Sequence, residues 1–273
     1  MDKKEIQLLE EKSKIIRRLI INQIAKLGQG HVGGSLSAVE ALVVLYNKVM
    51  NIDPKNPKMK GRDRFVMSKG HAGPAVYSVL AEKGYFDISE LDTLNKPETN
   101  LPSHCDMNKT KGVDMTVGSL GQGISCAVGM AKASKIMKDN AYIYCMVGDG
   151  ESQEGQVWEA AMTSVQFKLN NLICFTDYNK IQLDGTLEEI MNVAPLDKKW
   201  EAFGWNVITV DGHDIEKIYN AIEEAKESKS KPTMIILETI KGKGVSFIEK
   251  MGTANHSMPI TEEQRVQALK ELE

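Results

Sequence analysis

Apolar residues at Ile6, Leu9, Ile16, Ile20, Ile24 and Leu27 recur every three or four positions, with Ser13 on the same line. That period puts one stripe on one face of a helix over residues 3–27, which Gly28 stops. Beyond it the pattern changes. Short runs at 64–68, 142–147, 171–176, 206–210 and 233–238 are rich in Val, Ile and Tyr and show little polar alternation. Strands buried on both faces have this pattern. Helical patterns lie between and around them, at 73–83, 124–138, 155–168, 194–203, 214–228 and 262–272. Ser37 with Glu40 fits a capping box opening a helix over Ala38–Val49, and Thr261 with Gln264 fits one opening the last helix.

Strands alternating with helices predict an α/β fold: a mostly parallel twisted sheet with helices on both faces, in a single domain over 1–273. Ligands of such sheets bind outside the carboxyl ends of the strands. Two suggestive corners fall there. The run 142–147 ends at Gly148-Asp149-Gly150, and the run 171–176 ends at Asp177-Tyr178-Asn179. A strand, a crossover helix and the next parallel strand take roughly 30 residues, so Asp149 and Asn179 are equivalent positions on successive strands. If the strands are neighbours, roughly 5 Å apart, both side-chain oxygens reach one point.

A carboxylate plus a carboxamide oxygen suits a hard cation such as magnesium, which takes the rest of its shell from phosphate, water or a backbone carbonyl. Gly148 and Gly150 allow close backbone approach to a diphosphate, and the N-terminus of the following helix favours an anion. Gly-Asp-Gly and Asp-x-Asn are also common turns. Their recurrence at equivalent positions is what favours the ligand reading.

Composition narrows the partners. Of 273 residues, 42% are hydrophobic and 26% charged, and the net charge is −3, so neither nucleic acid nor a membrane surface is an expected partner. No apolar run is long enough to span a bilayer, and residues 1–20 lack the apolar centre of a signal peptide. Cys105, Cys126, Cys145 and Cys174 form no CxxC pair and read as reduced thiols of a cytoplasmic core.

Several blocks in fixed order resemble the transketolase family. They are GQGHVGGSLS, SKGHAGPAVYSVLAEKGYF, LPSHCD, GSLGQGISCAVGMA, GDGESQEGQVWEAA and DYNKIQLDG, and the resemblance covers about residues 10–260. It implies a thiamin-diphosphate-binding fold. Asp149, Asn179 and the carbonyl of Ile181 would hold Mg2+ (or Ca2+ or Mn2+) clamping the diphosphate. Gly118, Gly148 and Gly150 would lie along the cofactor. Leu120 and Leu183 would contact its rings, with ordinary core packing as the alternative.

The resemblance also bears on the histidines and acidic residues. His31, His71, His104 and His256 would line the channel for diphosphate and substrate. A ring with an ordinary pKa near 6.5 suits proton transfer at sugar hydroxyls. His213 reads as part of a turn and cap. Glu154 would join an acidic network at a subunit interface; pairing of Glu154 and Glu159 with the helix dipole is the alternative. Glu151 departs from the familiar pattern and is expected to point away from the phosphate site. Lys241–Gly244 fits either a basic loop over phosphate or a solvated turn, and the mixed charges at 223–231 fit a wet helix face.

The family's chains are more than twice as long, and their second half binds the aminopyrimidine ring. The resemblance therefore implies the amino-terminal subunit of a split transketolase. A separate carboxy-terminal subunit would complete it in a two-plus-two heterotetramer acting on sugar phosphates such as xylulose 5-phosphate and ribose 5-phosphate. Three other readings stand beside it: the alpha half of a 2-oxoacid dehydrogenase, a relative of deoxyxylulose-phosphate synthase, and a non-catalytic cofactor-binding homologue.

Overall fold

A computed structural model describes residues 1–273. The first helix, α1 (Lys3–Leu27), begins with a capping box in which Asp2 and Glu5 exchange side-chain-to-backbone bonds. It buries the expected stripe of Leu9, Ser13, Ile16, Ile20 and Ile24, and ends at Gly28 with φ +97°, a left-handed cap that glycine adopts without a Cβ clash.

The central sheet contains β1 (Arg64–Met67), β2 (Ile143–Gly148), β3 (Leu172–Tyr178), β4 (Asn206–Asp211) and β5 (Thr233–Glu238). Their order is β1-β2-β3-β5-β4 and every pairing is parallel. The three inner strands are almost wholly buried, which explains their unbroken apolar sequences. A two-residue antiparallel ribbon, Gln29–Gly30 with Met258–Pro259, ties the last part of the chain to the end of α1.

One helical layer holds α1, α2 (Val39–Val44), α3 (Gly73–Glu82), α7 (Ile215–Lys226) and α8 (Glu262–Glu271); the other holds α4 (Gln122–Met137), α5 (Gly155–Gln166) and α6 (Leu196–Ala202). The Thr261–Gln264 capping box forms as expected. Ser37 and Glu40 do not form one. The helix instead starts at Val39 and widens into a π-turn over Leu45–Val49. The Ser37 hydroxyl donates to Asp177, 2.7 Å away, and Glu40 is buried against Arg17 and His213. A buried carboxylate is stabilised more by a charge than by a helix N–H, so tertiary partners win over the local cap.

His213 belongs to this scaffold, as expected. Its Nδ1 lies 3.1 Å from Glu40, its Nε2 accepts from the Ile240 N–H at 2.9 Å, and the adjacent Asp214 caps α7. All four cysteines are free. No helix is long and apolar enough to cross a membrane.

Candidate active site

β2 and β3 are neighbours, with Gly148 opposite Asp177. Their carboxyl ends therefore bring Asp149 and Asn179 to one cavity of about 250 Å3, which Gly148, Gly150, Ile181 and Leu183 also line. Asp149 is 3% exposed. Its carboxylate accepts from the N–H groups of Gly150 (2.7 Å) and Lys180 (2.5 Å). Burial, then the charge of Asp177, pushes its pKa up to about 7. Asn179 donates from Nδ2 to Asp177 at 3.1 Å, and its Oδ1 accepts from the Ile181 N–H at 3.1 Å.

Asp177 is the hub of this corner. It accepts from Lys69 Nζ (2.5 Å), Ser37 Oγ (2.7 Å), Thr239 Oγ1 and Asn179 Nδ2. Burial alone would raise its pKa, but the Lys69 charge and these donors outweigh it and hold the carboxyl below its ordinary value. Lys69 also donates to the Gly34 carbonyl at 2.7 Å. This buried ion pair therefore fixes which way the Asn179 amide faces.

Glu151 does not point away from the site. It is 2% exposed. Its carboxylate accepts from Ser68 Oγ and from the N–H groups of Gly121 (2.8 Å) and Gly148 (2.9 Å). The corner carries orphan N–H groups that need an acceptor, and a carboxylate satisfies several at once. Glu151 thereby braces the loops after β1 and β2 and the start of α4.

Lys241 settles the second open alternative. It is 4% exposed, so Lys241–Gly244 is not a solvated turn. Its ammonium lies 3.3 Å from the carbonyls of both Ile181 and Gln182 and 3.4 Å from His256 Nδ1. Burial pushes its pKa down to about 8, against the opposing pull of Asp149.

The four loop histidines converge. The His31 ring centroid lies 5.5 Å from His71, 5.7 Å from His104 and 5.4 Å from His256, while His71 and His256 are 4.9 Å apart. His71 and His256 line the cavity; His31 and His104 stand just outside it. All four pKa values are lowered, by burial first in every case, with the His104 ring adding to it for His31 and neighbouring lysines and rings for His71 and His256. His256 falls to about 4. The cluster is therefore neutral at pH 7, able to accept protons.

The remaining expected residues divide. Leu120 and Glu154 line the cavity, and so does Leu183, which at 56% exposed is not core. Glu154 precedes α5 in an extended conformation and makes no side-chain cap. Glu159 is exposed on α5. Gly118 is exposed, outside the cavity lining, and a Cβ there would meet nothing within 4 Å.

The donor set fits a hard cation and a diphosphate. No cluster of three His, Cys, Asp or Glu side chains could cage a metal. What is present is oxygen: the Asp149 carboxylate, the Asn179 carboxamide and the main-chain carbonyls of Ile181 and Gln182, which face the Lys241 charge. The wall is also shaped by missing side chains. A Cβ at Gly150 would come within 2.9 Å of Gln182, and one at Gly34 within 3.3 Å of His71.

The family model for the transketolase thiamine diphosphate binding domain matches residues 9–272. The chain belongs to the transketolase family. Its relatives include the 6-deoxy-6-sulfo-D-fructose transketolase subunit SqwG of Clostridium sp. (strain MSTE9), 56% identical over 97% of this chain and 96% of the relative. An apulose-4-phosphate transketolase subunit of Actinobacillus succinogenes is 43% identical over 97% and 95%. Among solved transketolases, that of Campylobacter jejuni superposes with a TM-score of 0.90 at 33% identity, covering 100% of this chain and 43% of that one. The chain thus spans nearly all of the relatives named as subunits, and less than half of the solved transketolase chains.

Lys69, Asp177 and Glu151 had no assigned place in the transketolase site from sequence, and Lys241 stood open between a loop over phosphate and a solvated turn. Lys69 and Asp177 carried a signal: each is a charged residue closing an apolar strand run on the strand next to Gly-Asp-Gly or within its partner. Glu151 carried none beyond position.

Proposed function

We propose that this chain is the diphosphate-binding half of a thiamin-diphosphate- and Mg2+-dependent transketolase completed by a separate subunit, moving a two-carbon ketol unit from a ketose to an aldose. The supporting observation is the convergence of Asp149, Asn179, the Ile181 carbonyl, Lys241 and two histidines on one cavity. Asp149, Asn179 and the Ile181 carbonyl would hold the cation; Lys241 and the Gly150 N–H would hold the diphosphate; Leu120 and Leu183 would meet the cofactor rings. When bound, thiamin diphosphate supplies the carbanion-stabilising chemistry. His31, His71, His104 and His256 accept and return protons at the sugar hydroxyls and carbonyl. Their neutral state leaves a ring nitrogen free for each transfer.

The donor proposed is a ketose with an anionic terminus. The relative named for 6-deoxy-6-sulfofructose makes that sugar a test substrate beside xylulose 5-phosphate, with ribose 5-phosphate as acceptor. The two kinds of chain would associate as two of each in the cytoplasm, consistent with the relatives' naming as subunits and the four free thiols. Co-expression with a complementary carboxy-terminal subunit, then assay of each donor with and without thiamin diphosphate and Mg2+, tests this. Cofactor-dependent ketol transfer by the pair, absent from this chain alone, is expected. Full turnover by the isolated chain, or none by the pair with any ketose, refutes it.

A further inference from the structure

Three loops that carry site residues meet at one buried amide. Asn255 is 0% exposed and directly precedes His256. Its Nδ2 donates to the Lys241 carbonyl at 3.0 Å and to the Ile248 carbonyl at 2.9 Å. An atom that faces two carbonyls must be the nitrogen, so the orientation of the amide is fixed. Gly242, next after Lys241, takes φ +90°, and its N–H donates to the Gly33 carbonyl at 3.0 Å. Gly33 stands two residues after His31.

The fit around this amide is close. A Cβ at Gly33 would lie 2.2 Å from Asn255 Oδ1 and 2.7 Å from the Asn255 main-chain oxygen, and one at Gly242 would lie 2.9 Å from Nδ2. Asn255 is thus wedged between the loop after His31 and the loop after Lys241, in space left by two missing side chains. The result is visible at the site, where Lys241 Nζ lies 3.4 Å from His256 Nδ1 and the His31 and His256 ring centroids are 5.4 Å apart. Oδ1 itself is buried with no hydrogen-bond partner. A buried amide with an unsatisfied oxygen adds little to stability. What its nitrogen adds is a fixed spacing between three loops.

We propose that Asn255 is a positioning residue for ketol transfer: by joining the loops of His31, Lys241 and His256 it sets the Lys241 ammonium and the His256 ring in place on the cavity. The inference rests on the ketol-transfer reading, in which Lys241 holds the diphosphate and His256 moves protons. Asn255 does not line the cavity, so it acts through these two residues and not on a ligand. The test uses the complex with the complementary subunit and compares Asn255→Ala alone with Asn255→Ala in two double-mutant cycles.

Alone, the variant should lower kcat by roughly 10- to 100-fold through a displaced His256. It should also weaken calorimetric binding of thiamin diphosphate with Mg2+ by about 10-fold through a displaced Lys241. In a His256→Ala background it should change kcat by less than about 2-fold, and in a Lys241→Met background it should change cofactor affinity by less than about 2-fold. A residue that only supports the fold would give the same losses in every background. Asn255→Ser, which leaves a smaller void and one donor, repeats both cycles if the alanine variant does not fold. Losses that add in either cycle, or an Asn255→Ala complex indistinguishable from the wild type, overturn the proposal. A wild-type complex inactive with every ketose overturns the ketol-transfer reading instead, and that is seen before any variant is compared.

Discussion

The corner around Asp149 and the cluster around His31 lie side by side yet are built in opposite ways. At the corner nearly every polar atom has a protein partner. Asp177 alone accepts from four side chains, and Asp149 accepts from two backbone N–H groups. In the histidine cluster, the only ring nitrogen with a partner is that of His256, 3.4 Å from Lys241. The first region is preorganised, so its geometry does not wait on a ligand. The second leaves its ring nitrogens open, as the proposed proton transfers require. A metal and diphosphate need fixed oxygen positions, whereas a proton acceptor needs an unoccupied lone pair.

The largest expected effect breaks the first region. Asp149→Ala should abolish thiamin diphosphate uptake with Mg2+ and all turnover, with affinity reduced by roughly 100-fold or more in calorimetry, beyond what outer partners of a metal ligand usually cost. In the second region, His104→Asn should lower kcat by about 100-fold while leaving cofactor affinity unchanged. A shared loss of both parameters would show that the two regions are not separable.

Asp177→Asn sharpens the comparison. It frees the Asn179 amide to turn and should weaken cation binding by roughly 10- to 100-fold. It also strands the Lys69 charge, so the free chain should lose about 3–5 kcal/mol of stability. Lys69→Met combined with Asp177→Asn should recover much of that stability without recovering affinity, which separates positioning from packing.

The pH dependence of the free chain should divide between the regions. The histidine pKa values are lower folded than unfolded, so the unfolded state gains protons first and stability falls as pH drops below about 6.5 toward 4. Asp149 has the opposite sign. Its pKa rises from 3.8 to about 7, so stability falls as pH rises through that interval. Without cofactor, Asp149→Asn should therefore melt higher than the wild type at pH 8, by up to a few kcal/mol at about 1.4 kcal/mol per unit, and show no gain at pH 4. The smallest effect is Leu183→Ala, about 0.5 kcal/mol or less in the free chain because the side chain is exposed. It should be several-fold larger in cofactor affinity of the complex.

Much of this was readable along the chain. Helix α1, its glycine stop and the last capping box follow local rules that no distant residue contradicts. The inner strand runs are unbroken because they are buried on both faces, whereas the edge strand Asn206–Asp211 is partly exposed despite its apolar run, and the two corners follow from the length of one crossover unit. The failures share a cause. Ser37, Glu40 and Glu151 have good local uses, as caps or solvated charges, and each was drawn to a partner remote in sequence: Asp177, Arg17 and Ser68 respectively. Lys241 looked as much like a turn as a ligand because a lysine in a Lys-Gly-Lys-Gly run carries no record of its own burial.

What the sequence determined by itself was periodicity, the order of elements and the residue types at the strand ends, all set by interactions within a turn or a crossover unit. Only the tertiary structure decided which charges are buried and paired, which way the Asn179 amide faces and that four loop histidines meet. Those outcomes depend on desolvation, which is a property of everything packed around a group and is not encoded by its neighbours in the chain.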